Sequence, residues 1–308
     1  MSQPRFSVII PTQNRLEKLR RALSSLEHQI FTDYELLLVD DGSVDGTQDY
    51  VVRGELTREF PGIRRIRTLR NDRGVGAGMA RNQALELAQG EFIAFLDDDD
   101  KWLPGYLHEQ AGRLDRNPSA SAIVARHLEF DVKGRTREPD LEMLLEYDNP
   151  LIYLLTESFV HTMSVLAARR TAFEEIGFLD TGFSITHDWE WCSRLLLAGK
   201  TLLPPAGPEL VLHEVPGGLV TRLGEWYEEE QSILNGIFEH HTEYARYRSG
   251  VMAYRNLFFA RLAFSRGETL FGMRRLASAI SASPAAAARI TNMKVRRNRQ
   301  RSSRQGDE

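Results

Sequence analysis

The chain has 308 residues, 42% hydrophobic and 27% charged, which is ordinary globular composition with room for one large domain or one domain plus an appendage. A net charge of −4 gives no overall attraction for nucleic acid, and a single cysteine, Cys192, rules out an internal disulfide and suits a reducing compartment. No apolar run reaches the length of a membrane span, and MSQPRFSVIIP has neither the basic n-region nor the apolar length of a signal peptide, so a cytosolic protein is expected.

In chain order, Phe6 to Ile10 reads as a buried strand closed by Pro11. Leu16, Leu19, Ala22, Leu23 and Leu26 recur at helical spacing. Tyr34 to Val39 is a second strand that ends at Asp40-Asp41-Gly42. One helix should follow, with Asp45 or Thr47 near its start and Tyr50, Val51 and Leu56 on its inner face. Ile63 to Leu69 is a weaker third strand, Ala77 to Ala88 a helix stopped by Gly90, and Phe92 to Leu96 a fourth strand. Strand–helix alternation of this kind predicts an α/β fold, a mostly parallel sheet with helices on both faces.

After Pro104 the pattern changes. Tyr106 to Arg116 reads as helix and Ala122 to Phe130 as strand. The acidic stretch from Asp131 to Asn149 is expected to be a mobile excursion. His161 to Ala168 alternates like a strand, Thr171 to Ile176 is a short helix, Trp189 to Ala198 a helix stopped by Gly199, and Leu210 to His213 a last short strand. From Leu223 onward the pattern is helical, and Lys294 to Arg304 is a basic run expected to be disordered. The expected division is a first domain over 1–220, a helical extension over 221–290 and a tail over 291–308.

The chemistry concentrates where strands end. Four aspartates in a row, Asp97 to Asp100, follow the fourth strand, and Thr12, Asp40 and Asp41 follow the first two. In open parallel sheets ligands bind beyond the carboxyl ends of the strands, so these residues converge on one crevice. Like charges at such spacing repel and call for a proton or cation, and hard oxygen donors suit Mg²⁺ or Mn²⁺ bridging to phosphate. A nucleotide diphosphate held through a metal follows. Gly74, Gly76 and Gly78 do not fit the dinucleotide spacing GxGxxG.

Five segments occur in order, each at a strand or helix boundary: SVIIPTQNR, LLLVDDGSVDGT, NDRGVGAGMARNQAL, EFIAFLDDDDKW and THDWEWCSRLLLAGK. Together they resemble the inverting family-two nucleotide-sugar glycosyltransferases of GT-A fold, over residues 5 to 220. The resemblance implies a metal-dependent transferase with Mn²⁺ or Mg²⁺ as cofactor. Its donor would be a nucleotide-sugar, UDP-sugar first, and its acceptor a glycan or a lipid-linked sugar of cell-surface polysaccharide or glycolipid synthesis.

The resemblance also implies roles. Asp40 would accept a hydrogen bond from the base, with Thr12 lining the same pocket. Arg81 would contact the base or a phosphate. Of the acidic run, Asp97 would approach the ribose and Asp99 the cation, with Asp98 and Asp100 as second candidates because the run offers more than one register. Asp188 would be the general base, and His213 would complete the metal site or touch the diphosphate. The family usually has Glu-Asp where this chain has His187-Asp188, a departure that leaves the role of His187 open. Trp102, Trp189 and Trp191 are candidates to stack on sugar faces, although at helical spacing only one of the last two can face the site.

Arginines along 223 to 290 suggest either a helical cap or dimer element, or a basic surface resting on the inner face of the membrane. No aromatic interleaving accompanies these charges, which speaks against nucleic acid. Two rivals remain: a sugar-1-phosphate nucleotidyltransferase, which would want a glycine-rich loop after the first strand where PTQNR has none, and a non-catalytic nucleotide-sugar-binding module.

Overall fold

The computed structural model describes residues 3–130, 136–137, 149–157, 159–214, 222–285 and 287. Most of the acidic stretch from Asp131, the residues that follow Glu214 up to 221, and the basic run from Lys294 lie outside them.

Three apolar runs make the centre of the sheet. Strands β1 (Phe6–Thr12), β2 (Tyr34–Asp40) and β4 (Phe92–Phe95) are buried at every position, as strands covered on both faces must be. β1 continues through Pro11, contrary to the sequence expectation. Its ladder with β4 stops at Ile9, so Pro11 lies where only the β2 side is paired, and a missing N–H is tolerated there.

The described strands form one nine-stranded sheet. With β3 (Ile66–Arg70), β5 (Lys101–Trp102), β6 (Ala120–Phe130), β7 (Thr136–Arg137), β8 (Leu166–Arg169) and β9 (Thr201–Glu214), the order is β3-β2-β1-β4-β8-β6-β9-β5, and β7 pairs with β6. The first four strands are parallel, β8 is antiparallel to both β4 and β6, β9 is parallel to β6, and β5 is antiparallel to β9. The sheet is therefore mixed. The order reverses at β1, which places a crevice beyond the ends of β1, β2 and β4.

Helix α1 (Leu16–Glu27) buries Leu19, Ala22, Leu23 and Leu26. The single helix expected after β2 is two short ones, α2 (Thr47–Val52) and α3 (Glu55–Glu59), because Gly54 adopts a left-handed φ of 70°. Helices α4 (Ala77–Leu87), α5 (Tyr106–Arg116), α7 (Arg170–Ile176) and α8 (His187–Leu197) follow the expected pattern within a few residues. The segment from His161 is not a continuous strand: a 3-10 turn at Met163–Val165 precedes β8.

The chain divides into two units, residues 1–141 with 159–218, and residues 142–158 with 219–308. The second is helical: α6 (Pro150–Glu157), α9 (Leu223–His240), a 3-10 segment at Thr242–Tyr247, α10 (Arg248–Ser265) and α11 (Thr269–Ala282). Leu223, Tyr227, Phe259 and Ala263 form its core cluster, with Trp226, Phe258, Leu262 and Phe271 packed against it.

Candidate active site

The loops after β1 and β2 brace each other. Asn14, at φ 55°, accepts from the Val44 N–H at 2.8 Å, and its own N–H donates to the Ser43 hydroxyl at 2.9 Å. At the end of β2 the buried Asp40 carboxylate accepts from the Ser43 N–H at 2.9 Å and pairs with Arg70. Asp41 turns the other way and accepts from the backbone N–H groups of Val75 (2.9 and 3.1 Å) and Gly76 (2.9 Å) and from the Asn71 amide at 2.8 Å. The glycine-rich loop before α4 is thus a cradle filled by a carboxylate. It also crowds Gly42, where a Cβ would lie 2.7 Å from the Arg73 backbone.

The four aspartates after β4 divide two and two, Asp97 and Asp100 toward Thr162, Asp98 and Asp99 toward Arg15. Asp97 pairs with Arg81 and accepts from the Thr162 hydroxyl at 2.9 Å. Asp98 accepts from the Thr12 hydroxyl at 2.7 Å and from Arg15 at 3.2 Å. Asp99 accepts from Arg15 at 2.9 Å, with the Lys18 ammonium 3.7 Å away. Asp100 meets the Thr162 hydroxyl at 2.8 Å. Thr12, Asp98 and Asp99 are therefore joined through Arg15, and Arg81, Asp97 and Asp100 through Thr162, two networks on consecutive residues, whereas Asp40 sits one strand away in the Arg70–Ser43 network.

Arg81, on α4 and buried, also reaches His187 Nε2 at 2.7 Å. A guanidinium keeps its protons, so in this contact Arg81 donates and Nε2 accepts. One arginine therefore ties the start of α8, where Asp188 follows His187, to the end of β4. Asp188 is buried and accepts from the Trp189 N–H at 2.7 Å.

The carboxyls are pushed apart electrostatically. Burial drives Asp188 up to about 7, against the lowering effects of the Trp189 N–H and Arg81. Burial also presses on Asp97, but Arg81 and Thr162 outweigh it and hold that carboxyl below its usual range. Burial, followed by repulsion from Asp100, Asp97 and Asp98, lifts Asp99 to about 6. One acid that exchanges its proton near neutrality beside one that stays charged is an arrangement suited to proton transfer.

The same repulsion tests the fit of a metal. A hard divalent cation would relieve the charge pressed on Asp99, and the donors are all oxygen, as Mg²⁺ or Mn²⁺ prefers. Yet among the described residues no three His, Cys, Asp or Glu side chains converge as a metal site. His213 lies on β9 opposite Glu129, and its side chain falls outside the described residues. The chemistry fits, with the protein supplying only part of a coordination shell.

All three tryptophans named from the sequence are core residues. Trp102 stacks on Tyr106 with ring centroids 4.0 Å apart, Trp191 stacks on Phe173 at 4.3 Å, and Trp189 is 2% exposed, so none offers a face to a sugar. Asp41, expected among the strand-end acids of the crevice, instead braces the loop before α4. Three residues have no place at the site in the sequence reading: Arg15, Arg70 and Thr162. Only Arg15 carries a local signal, a base just past the end of the first strand.

A sequence model described as glycosyl transferase family 2 matches residues 7–177. The chain belongs to glycosyl transferase family 2. Among curated relatives, the UDP-Glc:alpha-D-GlcNAc-diphosphoundecaprenol beta-1,3-glucosyltransferase WfgD of Escherichia coli is 39% identical over 111 residues, 36% of this chain and 41% of that protein. The chain therefore aligns with less than half the length of this family member. Among solved structures, residues 1–349 of S. aureus TarS in complex with UDP-GlcNAc superpose with a TM-score of 0.64 at 21% identity, over 90% of this chain and 81% of that one. The mannosyltransferase PcManGT from Pyrobaculum calidifontis, in complex with GDP-Man and Mn²⁺, gives 0.58 at 19% identity over 94% and 76%. At these identities the likeness is one of fold, and the fold is the GT-A architecture of the family.

Proposed function

We propose that the protein is an inverting glycosyltransferase that moves a sugar from a nucleotide-diphosphate donor, UDP-sugar first, to a hydroxyl of a glycan or lipid-linked acceptor in cell-surface polysaccharide or glycolipid synthesis. One observation carries the reading. Asp188, lifted to about 7, is tied through Arg81 and His187 to a strand-end carboxylate that stays charged. Family membership favours transfer over nucleotidyl transfer. The name of WfgD supports a UDP-sugar donor and a diphosphoundecaprenol-linked acceptor, and the TarS complex supports the nucleotide-sugar.

In this reading Asp40, fixed by Ser43 and Arg70 but with acceptor capacity left, takes a hydrogen bond from the base, and Thr12 lines the same pocket. Asp97 takes the ribose, with Asp98 beside it, and Arg81 holds Asp97 in place. The deprotonated Asp188 takes the proton of the acceptor hydroxyl as its oxygen attacks the anomeric carbon from the face opposite the diphosphate. A carbon–oxygen bond forms, the bond to the diphosphate breaks, and the nucleotide diphosphate leaves. Asp99 would hold Mn²⁺ or Mg²⁺, with His213 as its candidate partner, and the ion would act as a Lewis acid on the leaving group.

Asp188→Asn tests this directly. Transfer should fall by about 10²–10⁴-fold, the usual worth of a positioned base, while UDP-sugar binding stays near the parent value. A product with the donor's anomeric configuration, or transfer undiminished in the variant, removes the assignment. Thermal stabilisation across a panel of nucleotide-sugars, with and without Mn²⁺, identifies the donor and tests the Asp99 role.

A further inference from the structure

Helix α11 has apolar side chains on both faces. Its inner face rests on α10, where a Cβ at Gly272 would come within 2.7 Å of the Phe264 ring, and Ala279 is fully buried. Its outer face should be polar on a protein surrounded by water. Instead Leu270 is 60% exposed, Met273 51%, Leu276 38% and Ile280 50%. Their spacing of three, three and four residues puts them on one stripe.

Beyond Glu268 at its start, the charge along this helix and the sequence after it, up to Gly306, is cationic. From Thr269 to Gly306 the sequence contains no Asp or Glu, in a chain whose overall charge is −4. Arg274 is exposed on the helix itself, Arg275 packs its guanidinium 4.1 Å from the Tyr227 ring centre, and seven more Lys or Arg follow in the sequence beyond Ala287. An apolar stripe next to purely cationic chain combines the two signals that hold a peripheral protein at an anionic bilayer. A second copy of the chain fits less well. Pairing two such faces would bring like charges together, and four half-exposed side chains fall short of the roughly 800 Å² per partner of a stable interface.

We infer that the outer face of α11 lies in the headgroup region of an anionic membrane, with Leu270, Met273, Leu276 and Ile280 inserted and the exposed Arg274 on lipid phosphate. The inference does not depend on the identity of the acceptor or on catalysis.

Flotation of the full chain with phosphatidylcholine vesicles, with and without phosphatidylglycerol, tests it. The protein should float only with the anionic vesicles and be released by high salt. The triple variant Leu270→Ser, Met273→Ser, Ile280→Ser changes exposed positions only. It should retain the parent melting temperature and lose at least tenfold in vesicle partition. As a check independent of that variant, Leu270→Trp should show blue-shifted emission with phosphatidylglycerol vesicles and be quenched by brominated lipid. Absence of flotation, flotation unchanged in the triple variant, or an unquenched Trp overturns the inference. A dimer by sedimentation that the triple variant disperses assigns the stripe to a second copy instead.

Discussion

At the scale of single residues, the buried Asp188 carboxyl makes the sharpest statement. A base lifted to about 7 is half protonated at neutral pH, so kcat/KM should fall about tenfold per pH unit below that value and level off above it. The same shift has a stability consequence of definite sign. Between its ordinary value of 3.8 and about 7 the folded state binds this proton more tightly than the unfolded chain does. Asp188 therefore opposes folding increasingly as pH rises through that window, and its full cost applies above it. Asp188→Asn should thus raise the melting temperature at pH 8 and have little effect at pH 4, while transfer is lost at both. A variant that melts lower than the parent at pH 8 would mean that the carboxylate is stabilising and its proton affinity ordinary.

At the scale of elements, two glycines in one loop separate steric demand from backbone demand. Gly42 has φ 76°, and a Cβ there would lie 2.7–2.8 Å from backbone atoms of Arg73 and Gly74; Gly46 has φ 97° and would meet only Leu16 at 3.9 Å. Gly46→Ala should cost about 1–2 kcal/mol of left-handed strain. Gly42→Ala adds overpacking of about 1–3 kcal/mol, and it should also weaken UDP binding because the loop braced by Asp41 must move. Urea unfolding and UDP titration of the two variants check this, and equal costs would show that the loop yields freely. Much of this layer was readable in advance. β1, β2 and β4 are apolar at nearly every position and stop at polar residues, so the crevice could be located from sequence. Strand β9 was read only at its end, because the Pro-Pro-Ala-Gly-Pro run looks like a loop and pairs with β6 through several register shifts. Thr162 could not have been found at all. It meets Asp97 and Asp100 from 65 and 62 positions away, and nothing local distinguishes it from any other threonine.

At the scale of the whole molecule, the helical unit has an internal fastening of its own. Glu230 and Arg255 are 1% exposed each, and the guanidinium grips the carboxylate at 2.8 and 2.5 Å, donates to the Thr156 carbonyl at 3.3 Å and lies 4.5 Å from the Phe258 ring centre. Removing one partner leaves an uncompensated buried charge, which costs about 3–5 kcal/mol, whereas replacing both by apolar residues of similar volume is often neutral. Glu230→Ala should therefore destabilise the helical unit severely, and Glu230→Leu with Arg255→Met should recover most of the loss. The division of the chain adds a second readout. The proposed nucleotide site lies wholly in the first unit, and a ligand at 100 times its Kd adds about 2.7 kcal/mol only to the structure whose folding it requires. In Glu230→Ala, thermal unfolding should split into two transitions, with the upper one rising on addition of UDP and Mn²⁺ and the lower one indifferent to them. A single transition that moves as a whole with ligand would show instead that the two units fold as one cooperative body, so that the fastening in the helices also sets the stability of the site.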